Sequence, residues 1–173
     1  MTITINGSGT ITGVSAGGLP DGTIQQADLA ANVAGTGPVF SAYASGSTAC
    51  ANSTWTKLQI NTKEFDTNNN YDTSSYRFTP TVAGYYQVSG AVSWPSPVNQ
   101  NGFGIYKNGS IFKYGYYMGN AGNTYVNIVS ALIYFNGSTD YAELYTIQST
   151  GSSQNASGAS NGTYFQAALV RGA

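Results

Sequence analysis

The sequence predicts an all-β sandwich head carried on a short N-terminal arm, and three observations predict it. From Pro38 onward, short apolar and aromatic runs alternate with turn residues, the pattern of many short strands. No helical periodicity is present in that region. Texture also changes at Gly35–Pro38: no aromatic residue precedes this Gly/Pro cluster, and aromatics then recur every few residues. The reading is an arm over 1–37 and a head over 38–173.

Composition bounds the chemistry. The chain has 173 residues, enough for one domain with a proper core. Charged residues are 8%, against roughly 25% in ordinary soluble domains, so Ser, Thr, Asn, Gln and Gly must hydrate the surface. A net charge of −1 offers no nucleic-acid footprint and no electrostatic membrane patch. No apolar run approaches the roughly 20 residues of a spanning helix, so membrane insertion is not expected. The N-terminal stretch lacks a basic region followed by an apolar core, so no secretory signal is expected. There is no histidine, and the one cysteine, Cys50, reads as a small buried residue rather than a nucleophile.

The elements follow in order. Residues 2–14 alternate Ile with Thr or Asn, which suits short extended pairing. Thr23 with Gln26 three residues on forms a capping-box pattern, and Gly35 supplies a stop; a helix this short needs something to pack on. A flexible leader is the alternative for the same residues. The first head strand is VFSAYA, from Val39. TWTKLQINTKEF alternates imperfectly, which predicts a bend or bulge. NNNYDTSS is a loop, YRFTP a strand end, and GYYQVSGAVSW a strand. FGIYKNGSIFKYGYYM is a hairpin with Asn108-Gly109 at its tip, the pair a type I′ turn prefers. TYVNIVSALIYF and DYAELYTIQS read as a second hairpin-like pair. A polar loop follows, and TYFQAALVRG closes the chain.

Two strands are apolar on both faces. In VSALIYF, Val129, Ala131, Ile133 and Phe135 share one face, with Leu132 and Tyr134 on the other. In TYFQAALV, Phe165, Ala167 and Leu169 oppose Tyr164, Ala168 and Val170. A sandwich strand has one face in the core. Self-association through Leu132, Tyr134, Tyr164 and Val170 would cover the second face; scattered surface hydrophobicity is the alternative.

A family resemblance joins these pieces. Ile60, Asp66, Tyr71, Phe78, Gly84, Tyr86 and Val88 resemble the spaced signature of the C1q/TNF-like family, with Ile60 and Val88 where that family usually has phenylalanine. VFSAYA is similar to its first strand, IYKNG to its central hairpin and YFQAALV to its last strand. The resemblance implies a ten-stranded jelly roll, a homotrimer, and adjacent first and last strands. Gly84 would permit a tight turn after Pro80, and Asp66 would hydrogen-bond local backbone in the Asn-rich loop. The Gly-rich leader ITGVSAGGLPDGTIQQADLA is similar to linkers before C1q-like heads in bacteriophage tail-fibre and head-fibre proteins. It has no Gly-X-Y period.

Candidates for chemistry are few. Glu64 and Asp66 would share a face if their strand were regular, as paired carboxylates do in glycosidases, but solvated charge beside a loop explains them more simply. No cofactor is expected. Calcium is the one ion the resemblance leaves open, and Glu64, Asp66, Asn68, Asn70 and Asp72 supply oxygens, though at no recognised loop spacing. Binding has more support: Trp94, Asn99, Tyr114, Tyr116, Tyr117 and Asn120 combine aromatic faces with Asn amides that suit sugar rings or protein surfaces.

The expectation is therefore a non-enzymatic virion-surface component. Its partners would be its own copies as a homotrimer, another virion protein through the arm, and a host-surface glycan or protein. Capsid decoration is the alternative role.

Overall fold

The computed structural model describes residues 35–95, 98, 100–118 and 125–173, with backbone alone at 116–118 and 125. The arm up to residue 34, including most of the expected helix, lies outside the described residues, as do Asn99 and Asn120.

Thirteen strand segments make up the described head: β1 (Val39–Tyr43), β2 (Thr48–Cys50), β3 (Thr56–Lys57), β4 (Thr62–Asp66), β5 (Tyr71–Asp72), β6 (Arg77–Phe78), β7 (Gly84–Trp94), β8 (Gln100–Lys107), β9 (Ser110–Met118), β10 (Tyr125–Phe135), β11 (Ala142–Gln148), β12 (Gln154–Ala156) and β13 (Tyr164–Gly172). This exceeds the ten strands implied by resemblance because several segments are two- or three-residue pieces. No helix is found among the described residues.

A five-stranded sheet runs β10-β7-β13-β1-β4, and a six-stranded sheet contains β5-β6-β11-β8-β9 with β3 beside β11. The first and last head strands pair antiparallel, Val39 opposite Ala168 and Tyr43 opposite Tyr164. The second expected hairpin does not form. β10 pairs with β7 in one sheet, while β11 pairs with β8, β6 and β3 in the other. The connection Asn136–Tyr141 therefore crosses between sheets, and Asn136 organises it by accepting the amides of Ser138, Thr139 and Asp140 on its side-chain oxygen. The polar stretch before β13 also contains β12, which pairs with β2. Its polar residues mask a strand that needs only backbone bonds.

Alternation explains which side chains enter the core. On β7, Tyr86, Val88, Val92 and Trp94 point inward. Phe40 on β1 stacks on Tyr71 (4.8 Å) and Phe78 (4.5 Å) and meets Phe165 edge-on (5.1 Å). Burying a ring of this size contributes about 1.5–3 kcal/mol. Ile60, Tyr71, Phe78, Gly84, Tyr86 and Val88 are all buried. The Tyr71 hydroxyl donates to Ile60 O and the Tyr86 hydroxyl to Val82 O, so each ring buries its polar tip with a partner.

Gly84 has a different role from the one the turn suggested. It begins β7 and is absent from the positive-φ glycines. A Cβ there would stand 2.5 Å from Arg171 O and 2.7 Å from Leu169 Cδ1, so β13 packs where a side chain would be. Asn108 (φ 53°) and Gly109 (φ 77°) both occupy the left-handed region, as a type I′ hairpin tip requires.

Candidate association face

The outward face of the five-stranded sheet concentrates the exposed aliphatic residues. Along β10, Val126, Ile128, Leu132 and Tyr134 form one side, with Ile128 68% and Leu132 56% exposed. Their neighbours Val129, Ile133 and Phe135 are buried, so the strand is apolar on both faces. Tyr85 on β7 packs beside Tyr134, ring centroids 5.4 Å apart. Val170 and Phe65 are also exposed, and Tyr164 is half-buried.

Across the same face, the centre is lower and more polar. Gln87 Nε2 donates to Ser130 Oγ at 2.6 Å. Towards β4 a shallow groove of about 280 Å³ is lined by Val39, Phe65, Gln87, Ser89, Gln166 and Ala168, among others. One sheet face thus carries an aliphatic ridge at the β10 edge and a groove towards the opposite edge.

Phe65 reaches this face through a bulge. The β1–β4 register shifts between Ser41 and Ala42, placing Phe65 opposite Ser41 and Asp66 opposite Phe40. Glu64 turns outward and accepts the Ser41 hydroxyl at 2.6 Å. Asp66 turns the other way, its side chain 4% exposed, and accepts the Asn70 and Tyr71 amides and the Lys63 ammonium. The carboxylate pair allowed by a regular strand is therefore split between faces. Burial opposes ionisation of Asp66, but hydrogen bonds from Tyr71, Lys63 and Asn70 prevail and hold its carboxyl below the ordinary value.

These contacts also bear on calcium. Lys63 Nζ lies 2.9 Å from Asp66 Oδ2, where a cation would have to sit. The Asp72 carboxylate accepts bonds from Ser75 and Ser74, which lower its pKa. No group of three His, Cys, Asp or Glu suited to a metal occurs among the described residues. The oxygens are committed to separate turns and do not fit a calcium cage. Cys50 is buried, and burial pushes its thiol up, away from the reactive thiolate.

The expected receptor residues do not form one patch. Trp94 is 0% exposed and belongs to the core, which corrects its assignment as a surface contact: it closes β7 on the inward phase of the alternation. Tyr114 is exposed on β9, in the other sheet. Tyr116 and Tyr117 stand opposite Gly102 and Asn101 on the same strand, their side chains outside the described residues. Sequence reasoning missed Val126, Ile128, Tyr85 and Phe65. The first two continue the same alternation as Leu132 and were legible; Phe65 depends on the bulge.

No family model and no curated protein sequence matches this chain. Solved structures do. The globular domain of zebrafish complement 1qA protein aligns with TM-score 0.62 and 13% identity, over 79% of this chain and 98% of that one. Murine APRIL at pH 5.0 aligns at 0.62 with 9% identity, covering 77% and 98%. PRD1 vertex protein P5 aligns at 0.57 with 14% identity, covering 77% and 96%. The head has a C1q/TNF-like jelly-roll fold. No helix among the described residues is long and apolar enough to cross a membrane.

Proposed function

We propose that this chain is a bacteriophage-type virion component whose head associates as a homotrimer and meets the host surface at the tip of a fibre or spike. The observation that carries the reading is the ridge and groove on one sheet face. Ile128 and Leu132 are too exposed for a face that is finished in a single copy. A protrusion and a hollow at different places on one face suit a head-to-tail contact, and such contacts close into rings when the rotation allows. The resemblance implies three copies. The arm, residues 1–37, would attach the trimer to another virion protein. Linked copies would raise weak surface binding by about 10²–10⁴ where geometry permits. No catalytic role is proposed.

Likeness to a phage vertex protein supports a place on the virion surface and also favours a second reading, a capsid decoration trimer. Sedimentation of the full chain tests the assembly: a species of three times the 18.0 kDa chain mass is expected, and a folded single copy at high concentration would defeat it. Electron microscopy of labelled particles separates the roles. Label at fibre or spike tips supports host recognition; label over the capsid shell supports decoration.

A further inference from the structure

We propose that copies meet edge to face, with Lys113 on β9 of one copy paired to Glu64 on β4 of the next and Phe112 seated in the groove beside it; this rests on the homotrimer reading above and names the residues that join its copies. The edge comes from the topology. β10 and β9 end their sheets on the same side of the sandwich and touch there. Lys107 Nζ donates to Tyr134 O at 2.7 Å and ties the base of the β8–β9 hairpin to the end of β10. In a ring of three, neighbours are related by a one-third turn, so two flat sheet faces cannot lie on each other. The side of one sandwich can lie on the face of the next, and β9 extends the β10 ridge along that side.

A bulge shapes the edge. Ile105 on β8 stands opposite Lys113 and Tyr106 opposite Ile111, which leaves Phe112 with no opposite residue. Such a bulge re-aims its side chain. Phe112 is 40% exposed. Lys113 follows the inward phase of Ile105, yet it is exposed, because among the described residues no strand lies beyond β9. It leaves the sandwich through the β9–β10 side, its Nζ 5.5 Å from the centre of the Phe112 ring. One ring and one cation thus project together.

The next copy offers the complement. Its groove is lined by Val39, Phe65, Gln166 and Ala168 among others, none of them charged, and Ser41 stands opposite both Gln166 and Phe65. Glu64 accepts the Ser41 hydroxyl there and is exposed. Among the described residues, the salt bridges leave the side chains of Lys113, Arg171, Glu64 and Asp72 without an ion partner. Asp72 is held by Ser74 and Ser75 in its own turn. Arg171 stands opposite Tyr85 whereas Gln166 stands opposite Ser89, which puts Arg171 about 14 Å along the sheet from the Gln166–Ser41 level. Lys113 and Glu64 lie on opposite sides of one copy, since β10 and β4 are the two ends of the five-stranded sheet, about 19 Å apart. They can pair only between copies. Opposite charges so placed fix the register of a contact.

The test uses the full chain. Sedimentation over a dilution series gives the concentration at which trimer and single copy balance. Lys113→Glu and Glu64→Lys should each raise it at least about tenfold by placing like charges together, and the combined variant should return it to within about threefold of wild type. Phe112→Ala should raise it about tenfold. All three side chains are exposed, so each variant should keep the wild-type circular dichroism. Rescue in the combined variant separates a lost ion pair from a damaged fold. A trimer that holds as tightly in both single reversals, or a combined variant no tighter than they are, overturns this contact and leaves the trimer standing. A wild-type chain that stays a single copy at high concentration removes the trimer reading and this contact with it.

Discussion

Asp66 shows how much one side chain organises. Its two oxygens hold the Asn70 and Tyr71 amides and thereby shape the turn that delivers Tyr71 to the core. Because its folded pKa is depressed, its contribution is present above the ordinary carboxylate value and is lost as pH falls through the lower, folded value. Urea melts should therefore show wild-type stability dropping below about pH 4, with a shallower drop in Asp66→Asn, which starts less stable. Tyrosines set the alkaline limit. Burial raises Tyr71 strongly and pushes Tyr86 up to about 12. A raised folded value means stability is complete below the unfolded pKa near 10 and declines as pH rises through the folded ones. Thermal melts should fall from about pH 10 upward, and less steeply in Tyr86→Phe. Both expectations follow from polar groups whose partners were legible only in part: Asp66 bonding its own loop could be anticipated, Tyr71 reaching Ile60 O could not.

At the scale of elements, alternation and turn chemistry were the readable signals. β1, β7, the β8–β9 hairpin and β13 all lie where apolar period and punctuation place them. Gly109→Ala should cost about 1–2 kcal/mol, since alanine resists the left-handed turn. Gly84→Ala should cost about 1–3 kcal/mol by forcing β7 from the end of β13, with the loss read as a lower denaturant midpoint at unchanged slope. The β10–β11 assignment failed because sequence adjacency favours a hairpin, and nothing local distinguishes a turn within one sheet from a crossing between two. The bulge on β4 was anticipated only as an irregularity. Its consequence, Phe65 outward with Asp66 inward, depends on which β1 residue sits opposite.

For the whole molecule, the prediction concerns the aliphatic face. Leu132→Asp and Ile128→Asp should leave the fold intact, because both side chains lie outside the core, and should convert a trimer to single copies in sedimentation. A charge buried in the contact would lack a partner, a penalty of several kcal/mol per copy. Under the proposed virion role, particles carrying either variant should lose the protein on purification. Gln87→Ala, in the polar centre beside Ser130, should weaken assembly far less.

By itself the sequence determined the sandwich, most strand positions and the two-sided apolarity of β10 and β13. Each is a local matter: period two, turn residues and the chemistry of neighbours along the chain. Only the tertiary structure decided that Trp94 closes the core, that Glu64 and Asp66 part company, and that Trp55, Tyr106, Tyr114 and Tyr145 meet around Gly104. Those outcomes depend on register between strands far apart in the chain, where a slip of one residue exchanges every inward side chain for an outward one.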